Sequence, residues 1–373
     1  MKRLNLLQST AALLLLFLCS GRLLAQDSNQ LSGSFYKTFT GTIAGQAVIM
    51  QWRNSQQMTQ ISYEYLKYRQ RIPLRLMTDS SRNGQLFFAE GENEDGDWTK
   101  QPVWKCYYAQ SRISGTWYSA DRKKSYPILL KEDRPEGVQA FTFQGVDTVV
   151  SLFPDDTSHD RSYDFEYAAP VALGHSETAK WLNAMIKKSL GFNPDRSLME
   201  NLLLRRDSSV ADYLGNREDA KDNNWPVWSW QWNNDLSVDY NQNGYVVLLT
   251  SGYQYSGGAH GGAWNLYECL DANHRKQLAL SDIISADSSV LEGFLEQQFR
   301  IDYDLKADDS LTEYLFENKL MPNDNFSFDG SGLYFTYNQY EVAPYVMGII
   351  TILIPWEKLK PWLNPEFAQR MGL

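Results

Sequence analysis

Between residues 33 and 131, short apolar runs recur at regular intervals with no amphipathic helix among them, and that rhythm restricts the region to an all-β fold. The runs include Ala47-Val-Ile-Met-Gln-Trp52, Gln60-Ile-Ser-Tyr-Glu-Tyr65, Ile72-Pro-Leu-Arg-Leu76, Gln85-Leu-Phe-Phe88 and Tyr126-Pro-Ile-Leu-Leu130. Asn, Asp, Gly and Ser clusters separate them, as the turns of a barrel or a sandwich require. Gly115-Thr-Trp117 ends a loop and starts a strand, in the manner of small meander barrels. The likeness is one of architecture and carries no ligand with it.

The charged, Pro- and Gly-bearing stretch Lys131-Glu-Asp-Arg-Pro-Glu-Gly137 marks a boundary, after which the pattern becomes mixed α and β. Ser176 is placed to cap a helix carrying Leu182, Met185, Ile186 and Leu190 on one face, with Gly191 as its stop. A second helix is expected over 198–204, and a third from Asp287 or Ser288 through Leu291, Phe294, Leu295 and Gln298. Ser310-Leu-Thr-Glu313 has the form of a capping box. Residues 236–250 read as a hairpin turning at Asn243-Gly244. A turn at Asp329-Gly330, a strand through Tyr337 and a buried strand from Met347 to Pro355 close the chain. The expected class is α+β. An all-β domain over 33–131 precedes an α+β domain over 138–373, with subdomains at about 138–260 and 261–373.

Lys2 and Arg3 precede the apolar run Ala11–Leu18, and small or neutral residues lead to Ala25-Gln26. That order is a signal peptide over 1–25, and it implies an extracytoplasmic location, periplasmic or secreted. Cys19 follows Leu16-Phe-Leu18 as it would in a lipoprotein signal, but bulky Leu18 stands where such signals favour a small residue, so lipidation ranks second. No later segment is apolar enough to span a bilayer, so no transmembrane segment is expected in the mature chain. Hydrophobic residues make up 43% of the 373 and aromatics 14%, enough to fill packed cores. The net charge of −10 argues against nucleic acid and against charge-driven binding to anionic membranes. Cys106 and Cys269 remain after cleavage, either bridged or as two buried free thiols. No CxxC or Cys/His metal spacing, phosphate loop, dinucleotide fingerprint or Ser nucleophile elbow is present, so neither a metal nor another cofactor is expected. His159, His175 and His274 stand singly among polar residues. The acidic loop Glu92-Asn-Glu-Asp-Gly-Asp97 offers oxygen ligands without the spacing of a calcium loop, and reads as a solvated turn.

Two segments concentrate the candidate site residues. Tyr253-Gln-Tyr-Ser-Gly-Gly-Ala-His-Gly-Gly262 sets His260 between two glycine pairs at the end of a strand. A group that titrates near neutrality on such a loop can move a proton. The plainer reading is a shape-determining turn whose imidazole bonds a backbone carbonyl. Gly332-Leu-Tyr-Phe-Thr-Tyr-Asn-Gln-Tyr-Glu-Val-Ala-Pro-Tyr345 supplies Glu341, either an acid/base partner for His260 or a structural carboxylate bonding backbone amides. Tyr253, Tyr255, Tyr340 and Tyr345 complete the candidate ligand-binding set. Trp225, Trp228, Trp230 and Trp232 form a further cluster, the last three alternating, that would fill a core or stack on sugar rings.

Residues from about 160 to 365 resemble a bacterial extracytoplasmic family of unknown function. Its members include the ectodomain of the lysozyme-sensing anti-sigma factor and the non-catalytic region of some peptidoglycan deacetylases. The resemblance rests on Tyr163-Asp-Phe-Glu-Tyr167, Tyr255-Ser-Gly-Gly-Ala-His-Gly261, Leu280-Ser-Asp-Ile-Ile284, and Tyr340-Glu-Val-Ala-Pro-Tyr345 with Gly348 and Ile354-Pro355. It implies an α+β fold in two small subdomains and a ligand that is either a protein, lysozyme-like, or peptidoglycan. Few residues precede the apolar segment and no metal-binding deacetylase set follows, so neither sigma-factor control nor deacetylation is expected to transfer. The expected function is that of an exported envelope binding module rather than an enzyme. The alternative is a cell-wall hydrolase or related enzyme working through His260 and Glu341.

Overall fold

The computed structural model describes residues 31, 33–55, 59–77, 84–91, 98–155, 161–221 and 229–373. The leader with Cys19, the 92–97 loop, His159, Trp225 and Trp228 lie outside these residues. Two compact units divide the chain, one running to Asp133 and the other from Arg134, with Ser55–Gln57 assigned to the second.

In the first unit, β1 (Phe35–Ile43), β2 (Gln46–Asn54), β3 (Thr59–Tyr65), β4 (Arg71–Leu76), β5 (Gln85–Glu90), β6 (Val103–Ala109), β7 (Arg112–Tyr118) and β8 (Ser125–Glu132) form an antiparallel meander. Pairing of β1 with β8, from Phe39 opposite Glu132 to Ile43 opposite Ile128, closes it into a barrel. Closure leaves no unpaired sheet edge, and it decides between the two architectures that the spacing allowed. Along β6 the burial alternates strictly, with Trp104, Cys106 and Tyr108 turned inward. Phe39, Met50, Trp52, Phe88 and Ile113 complete the filled interior. At Gly115 a Cβ atom would come within 2.1 Å of the Lys105 carbonyl oxygen, so only glycine lets β7 approach β6 this closely.

The second unit is built on a six-stranded sheet. Its strands are β9 (Phe141–Ser151), β10 (Ser162–Ala172), β11 (Trp230–Gln242), β12 (Tyr245–Tyr255), β13 (Gly262–Asp271) and β14 (Lys276–Gln277), in spatial order β14-β13-β12-β11-β10-β9. Only β10 and β11 run parallel, and their crossover carries α1 (Glu177–Ser189), α2 (Leu198–Gly215) and α3 (Arg217–Lys221). Ser176 accepts from the Ala179 amide to start α1, and Leu182 and Ile186 are buried. Ser197 and Glu200 close a full capping box on α2, which runs 11 residues beyond the expected 204. The polar stretch Arg205–Ser209 hides its continuation, because its apolar periodicity lapses there. The β11–β12 hairpin turns at Asn243 (φ +57°) and Gly244 (φ +76°), the two left-handed positions that a type I′ turn requires.

A second layer covers the β13 end of the sheet. It comprises α4 (Ser288–Asp302), capped by Asp287, and the antiparallel strands β15 (Phe326–Phe328), β16 (Gly332–Tyr337) and β17 (Ile350–Pro355), followed by α5 (Trp356–Leu359) and α6 (Pro365–Met371). Leu295, Phe299, Phe328, Phe335, Ile352 and Phe367 share one core with Tyr240, Tyr245, Val247 and Cys269 of the sheet. No helix forms after Ser310. Its hydroxyl caps a single 3-10 turn, Leu311–Glu313, and the Phe316 amide then bonds the Val342 carbonyl instead of continuing a helix. The last strand starts at Ile350 rather than Met347, because Tyr345–Met347 form another 3-10 turn ended by Gly348 at φ +67°. Both cysteines are free and buried. Burial pushes the Cys106 thiol up to about 12 and raises that of Cys269 well above the usual thiol range, so neither is a reactive thiolate.

α6 is fastened to the sheet by charge. Asp271 accepts from Arg370 Nη1 at 2.5 Å and Nη2 at 3.2 Å, from the amides of Asn273 and His274, and from His274 Nδ1. The same guanidinium lies 3.9 Å from the Tyr245 ring centroid. Burial pushes the Asp271 carboxyl up, but Arg370 and His274 outweigh it and hold the group below the usual carboxylate range. A depressed folded-state pKa contributes stability that is complete above the unfolded value, ~3.9, and is lost as pH falls through the folded value. Asp271→Asn is therefore expected to lower unfolding free energy at pH 7 by about 3 kcal/mol, the usual effect of breaking a buried pair. Urea denaturation across a pH series should also show a shallower acid loss below pH ~4 in the variant than in the parent.

Candidate functional site

The sheet brings the two candidate segments together. β12 and β13 are joined by the glycine turn that carries His260, and the segment after β16 lies along the free edge of β13. β14 pairs with β13 only at Leu270 and Asp271. Further along, the outward amides of Ala263, Asn265 and Tyr267 donate to the side chains of Gln339 (2.8 Å), Asn338 (2.7 Å) and Asn325 (2.9 Å). The Asn265 carbonyl accepts from the amide nitrogens of Asn325 and Asn338 in return. Three amide side chains thus do the work of a neighbouring strand, and they fix residues 338–341 beside the His260 loop.

The loop itself depends on close approach. A Cβ on Gly261 would meet Tyr253 Oη at 2.4 Å and the Gln254 carbonyl oxygen at 2.7 Å, so the Tyr253 ring occupies the space a side chain would need. Tyr255 donates its hydroxyl to the Gly258 carbonyl at 3.1 Å, and Gly257 and Gly258 take φ of +114° and +93°.

His260 is exposed and bonded at both nitrogens. Nδ1 lies 3.0 Å from the Gly261 carbonyl, which can only accept, so Nδ1 carries the proton and Nε2 accepts from the Tyr340 hydroxyl at 3.2 Å. The imidazole stacks on Tyr345, with centroids 3.8 Å apart and planes 23° off parallel, while the Tyr340 ring stands 6.2 Å away. Tyr340 sits at φ +65°, an uncommon conformation for a bulky residue. Glu341 is turned into the scaffold. Its Oε2 accepts from the Asn338 amide and its Oε1 from the Asn323 side chain, both at 2.8 Å. Of the six candidates, His260, Tyr340 and Tyr345 therefore form one aromatic group, Tyr253 and Tyr255 shape the loop below it, and Glu341 holds the turn that presents Tyr340.

Exposed apolar side chains stand on the Tyr340 segment and on segments bonded to its neighbours. Val346 is 87% exposed, Tyr340 55%, Phe316 54% and Met321 38%. The Phe316 amide bonds the Val342 carbonyl and the Tyr337 hydroxyl bonds the Met321 carbonyl, so these side chains stand on neighbouring segments. Trp230 and Trp232 lie on one face of β11, toward the helices. Trp230 meets Tyr163 and Tyr213, and Trp232 meets Trp264, whose ring lies over Gly252. The anchoring amides Asn323, Asn325, Asn338 and Gln339 had no sequence signal beyond their polarity. Asp271, His274 and Glu366 also lie within metal-ligand reach of one another, but Asp271 already accepts five hydrogen bonds, two of them from Arg370. The guanidinium fills the place of a cation.

The second unit is an α+β module, and two family models match parts of it. The model of the DUF3298 family, described as a protein of unknown function, matches residues 280–357, and the model described as deacetylase PdaC matches residues 157–263. These matches bear out the resemblance carried by the motifs. A DUF3298 member from Bacteroides fragilis superposes with a TM-score of 0.56 at 21% identity, covering 63% of this chain and 98% of its own. That likeness establishes a shared fold. A DUF3298 protein from Pseudomonas aeruginosa PAO1 aligns at 16% identity over 60% of this chain and 95% of its own, with a TM-score of 0.42. No curated protein matches. No helix among the described residues is long and apolar enough to cross a membrane.

Two neighbouring glycines separate packing from backbone freedom at this site. Gly261→Ala is expected to destabilise the chain by about 2 kcal/mol through overpacking against Tyr253. Gly262→Ala, where a Cβ meets nothing within 4 Å, should be nearly neutral. Chemical denaturation of the pair checks this. Equal effects would mean that the Tyr253 contact does not set the loop.

Proposed function

We propose that the chain is an exported envelope protein whose α+β domain, residues 138–373 within the second unit, is a recognition module with the barrel as an accessory. Its binding face is the exposed group of His260, Tyr340 and Tyr345 with Val346, Phe316 and Met321. The observation that carries this reading is the contrast between rigid support and exposure. Rings that contribute little to any core are fixed by an amide-sealed strand edge and by a left-handed Tyr340. Exposed apolar patches on positioned aromatics are the usual form of interaction sites. The leader-like N-terminus supports an extracytoplasmic location. Both Glu341 oxygens and both His260 nitrogens are engaged in holding the site, which favours binding over proton transfer. The exposed aliphatic Val346, next to Tyr345 in the chain, favours a protein ligand, since a sugar face needs only the flat rings.

Calorimetry of the purified chain with a lysozyme-type protein and with muropeptides tests the proposal. Binding to the protein ligand is expected, weakened about tenfold or more by Val346→Asp and by Tyr340→Gly. Tyr340→Gly should leave unfolding free energy within about 1 kcal/mol of the parent, because glycine relieves the left-handed strain as the hydroxyl contact is lost. Silence toward both ligand classes would overturn the binding reading. Muropeptide binding alone would assign the face to a cell-wall glycan instead.

A further inference from the structure

The barrel carries a feature that its closure does not explain. Glu90, the last residue of β5, points inward at one mouth, where its Oε1 accepts three hydrogen bonds from Tyr63 Oη at 2.7 Å, Trp104 Nε1 at 2.8 Å and Trp117 Nε1 at 2.6 Å. All three donors are neutral, and all three go to the same oxygen. Among the described residues Oε2 has no hydrogen-bond partner, and no Lys, Arg or His of those residues forms an ion pair with the carboxylate. A carboxylate drawn part-way into a protein normally finds a cation or a metal. Here the converging donors fix its position and leave its charge unmatched.

Aromatic rings from β3, β6, β7 and β8 surround the carboxylate. Tyr63 and Trp104 meet edge to face at 4.8 Å, and Tyr63 and Tyr65 at 5.6 Å. Tyr68 extends this line outward from Tyr65 at 6.2 Å and is 59% exposed. On the opposite strands Trp117 stacks on Tyr126, at 5.6 Å and 29°, and Tyr126 is 40% exposed. Cross-strand pairing explains the grouping, since Trp104 faces Trp117 and Trp117 faces Tyr126 in register. Burial, reinforced by the adjacent Glu90 charge, pushes the Tyr63 phenol up, so it stays a donor at any physiological pH.

We propose that this mouth is a binding site for an organic cation, a substituted ammonium group that sits against Glu90 Oε2 with Tyr65, Trp117 and Tyr126 around it, while the Tyr68 ring farther out already carries Lys67 Nζ 5.2 Å from its centroid. Electron-rich ring faces and a single fixed carboxylate are the combination that attracts a weakly hydrated ammonium. A purely structural role needs the three hydrogen bonds to Oε1 but not the charge, and Gln at position 90 would supply an acceptor for them equally well. That difference makes the two roles separable.

The test is calorimetric titration of the purified full chain with choline and with n-butylammonium at constant ionic strength. The neutral control is 3,3-dimethylbutan-1-ol, which has the shape of choline without its charge. Saturable binding of at least one of the two cations is expected, with the alcohol about tenfold weaker or worse. Glu90→Gln, which keeps the acceptor for Tyr63, Trp104 and Trp117, should lose about tenfold in affinity with its thermal midpoint retained. Tyr126→Ala, on the exposed rim, should weaken binding without touching the core, and it carries the test if Glu90→Gln fails to fold. No saturable heat from either cation up to about 10 mM, equal binding of the neutral alcohol, or full affinity in a folded Glu90→Gln chain would each overturn the proposal.

Discussion

The second unit depends on how β13 is finished. An outer strand leaves a row of unpaired amides and carbonyls, which invites either solvent or another chain. At Leu270 and Asp271 the two-residue β14 supplies the missing partner. From Ala263 to Tyr267 no strand does so, and Gln339, Asn338 and Asn325 provide acceptors at the spacing of alternate residues. Asn325 and Asn338 also donate to the Asn265 carbonyl, so these two half-buried amides are used from both ends. The seal has a geometric consequence. It ties segments some 75 residues apart in sequence to one strand edge, and so brings the His260 turn and the Tyr340 turn to the same place.

The two ends of β13 are secured by different physics. Near Asp271 the partner is a guanidinium, half-buried against the Tyr245 ring and shared with the Asn243 carbonyl, which draws α6 onto the β11–β12 turn. At the other end the contacts are neutral amides, which demand no ion pairing. The charge-based fastening therefore sits far along the strand from the exposed aromatic group, and the neutral one sits beside it. Exposed rings and aliphatic side chains are compatible with the second arrangement and would be altered by the first, since a guanidinium and its carboxylates carry a hydration shell with them.

Much of the architecture was legible because it follows from periodicity. Alternation along the short strands announced an all-β domain, barrel or sandwich, Ser176 and Asp287 announced their helices, and Asn243-Gly244 announced its hairpin. Closure was not legible, because the pairing of β1 with β8 joins residues about 90 apart and leaves no local trace. The capping-box form at Ser310 failed for a related reason: the local signal is present, but the hydrogen bond from Phe316 to Val342 outcompetes the next helical turn. Within the site, His260, Tyr340 and Tyr345 stood out through their glycine and proline surroundings. The amides that bring them together did not, since an Asn in a loop looks the same whether it faces water or a distant strand. Glu90 was equally silent, being one acidic residue at the end of a strand until the barrel points Tyr63, Trp104 and Trp117 at it.

Strain at Tyr340 gives the exposed group its meaning. A tyrosine in the left-handed region gives up roughly 1–2 kcal/mol relative to ordinary backbone, and its ring, more than half exposed, recovers little of that by burial. The conformation persists because Glu341 closes the turn through the Asn338 amide while the Asn338 carbonyl accepts from the Glu341 amide. Asn338 is in turn held by β13. The chain of cause thus runs from a strand edge, through an amide, to a carboxylate, and ends at an aromatic ring in solvent. Had the ring served only the fold, a glycine or asparagine at this position would have met the same backbone demand without strain. What the tyrosine adds is confined to its outer face: a hydroxyl for His260 and a fixed ring beside Tyr345, offered to whatever approaches.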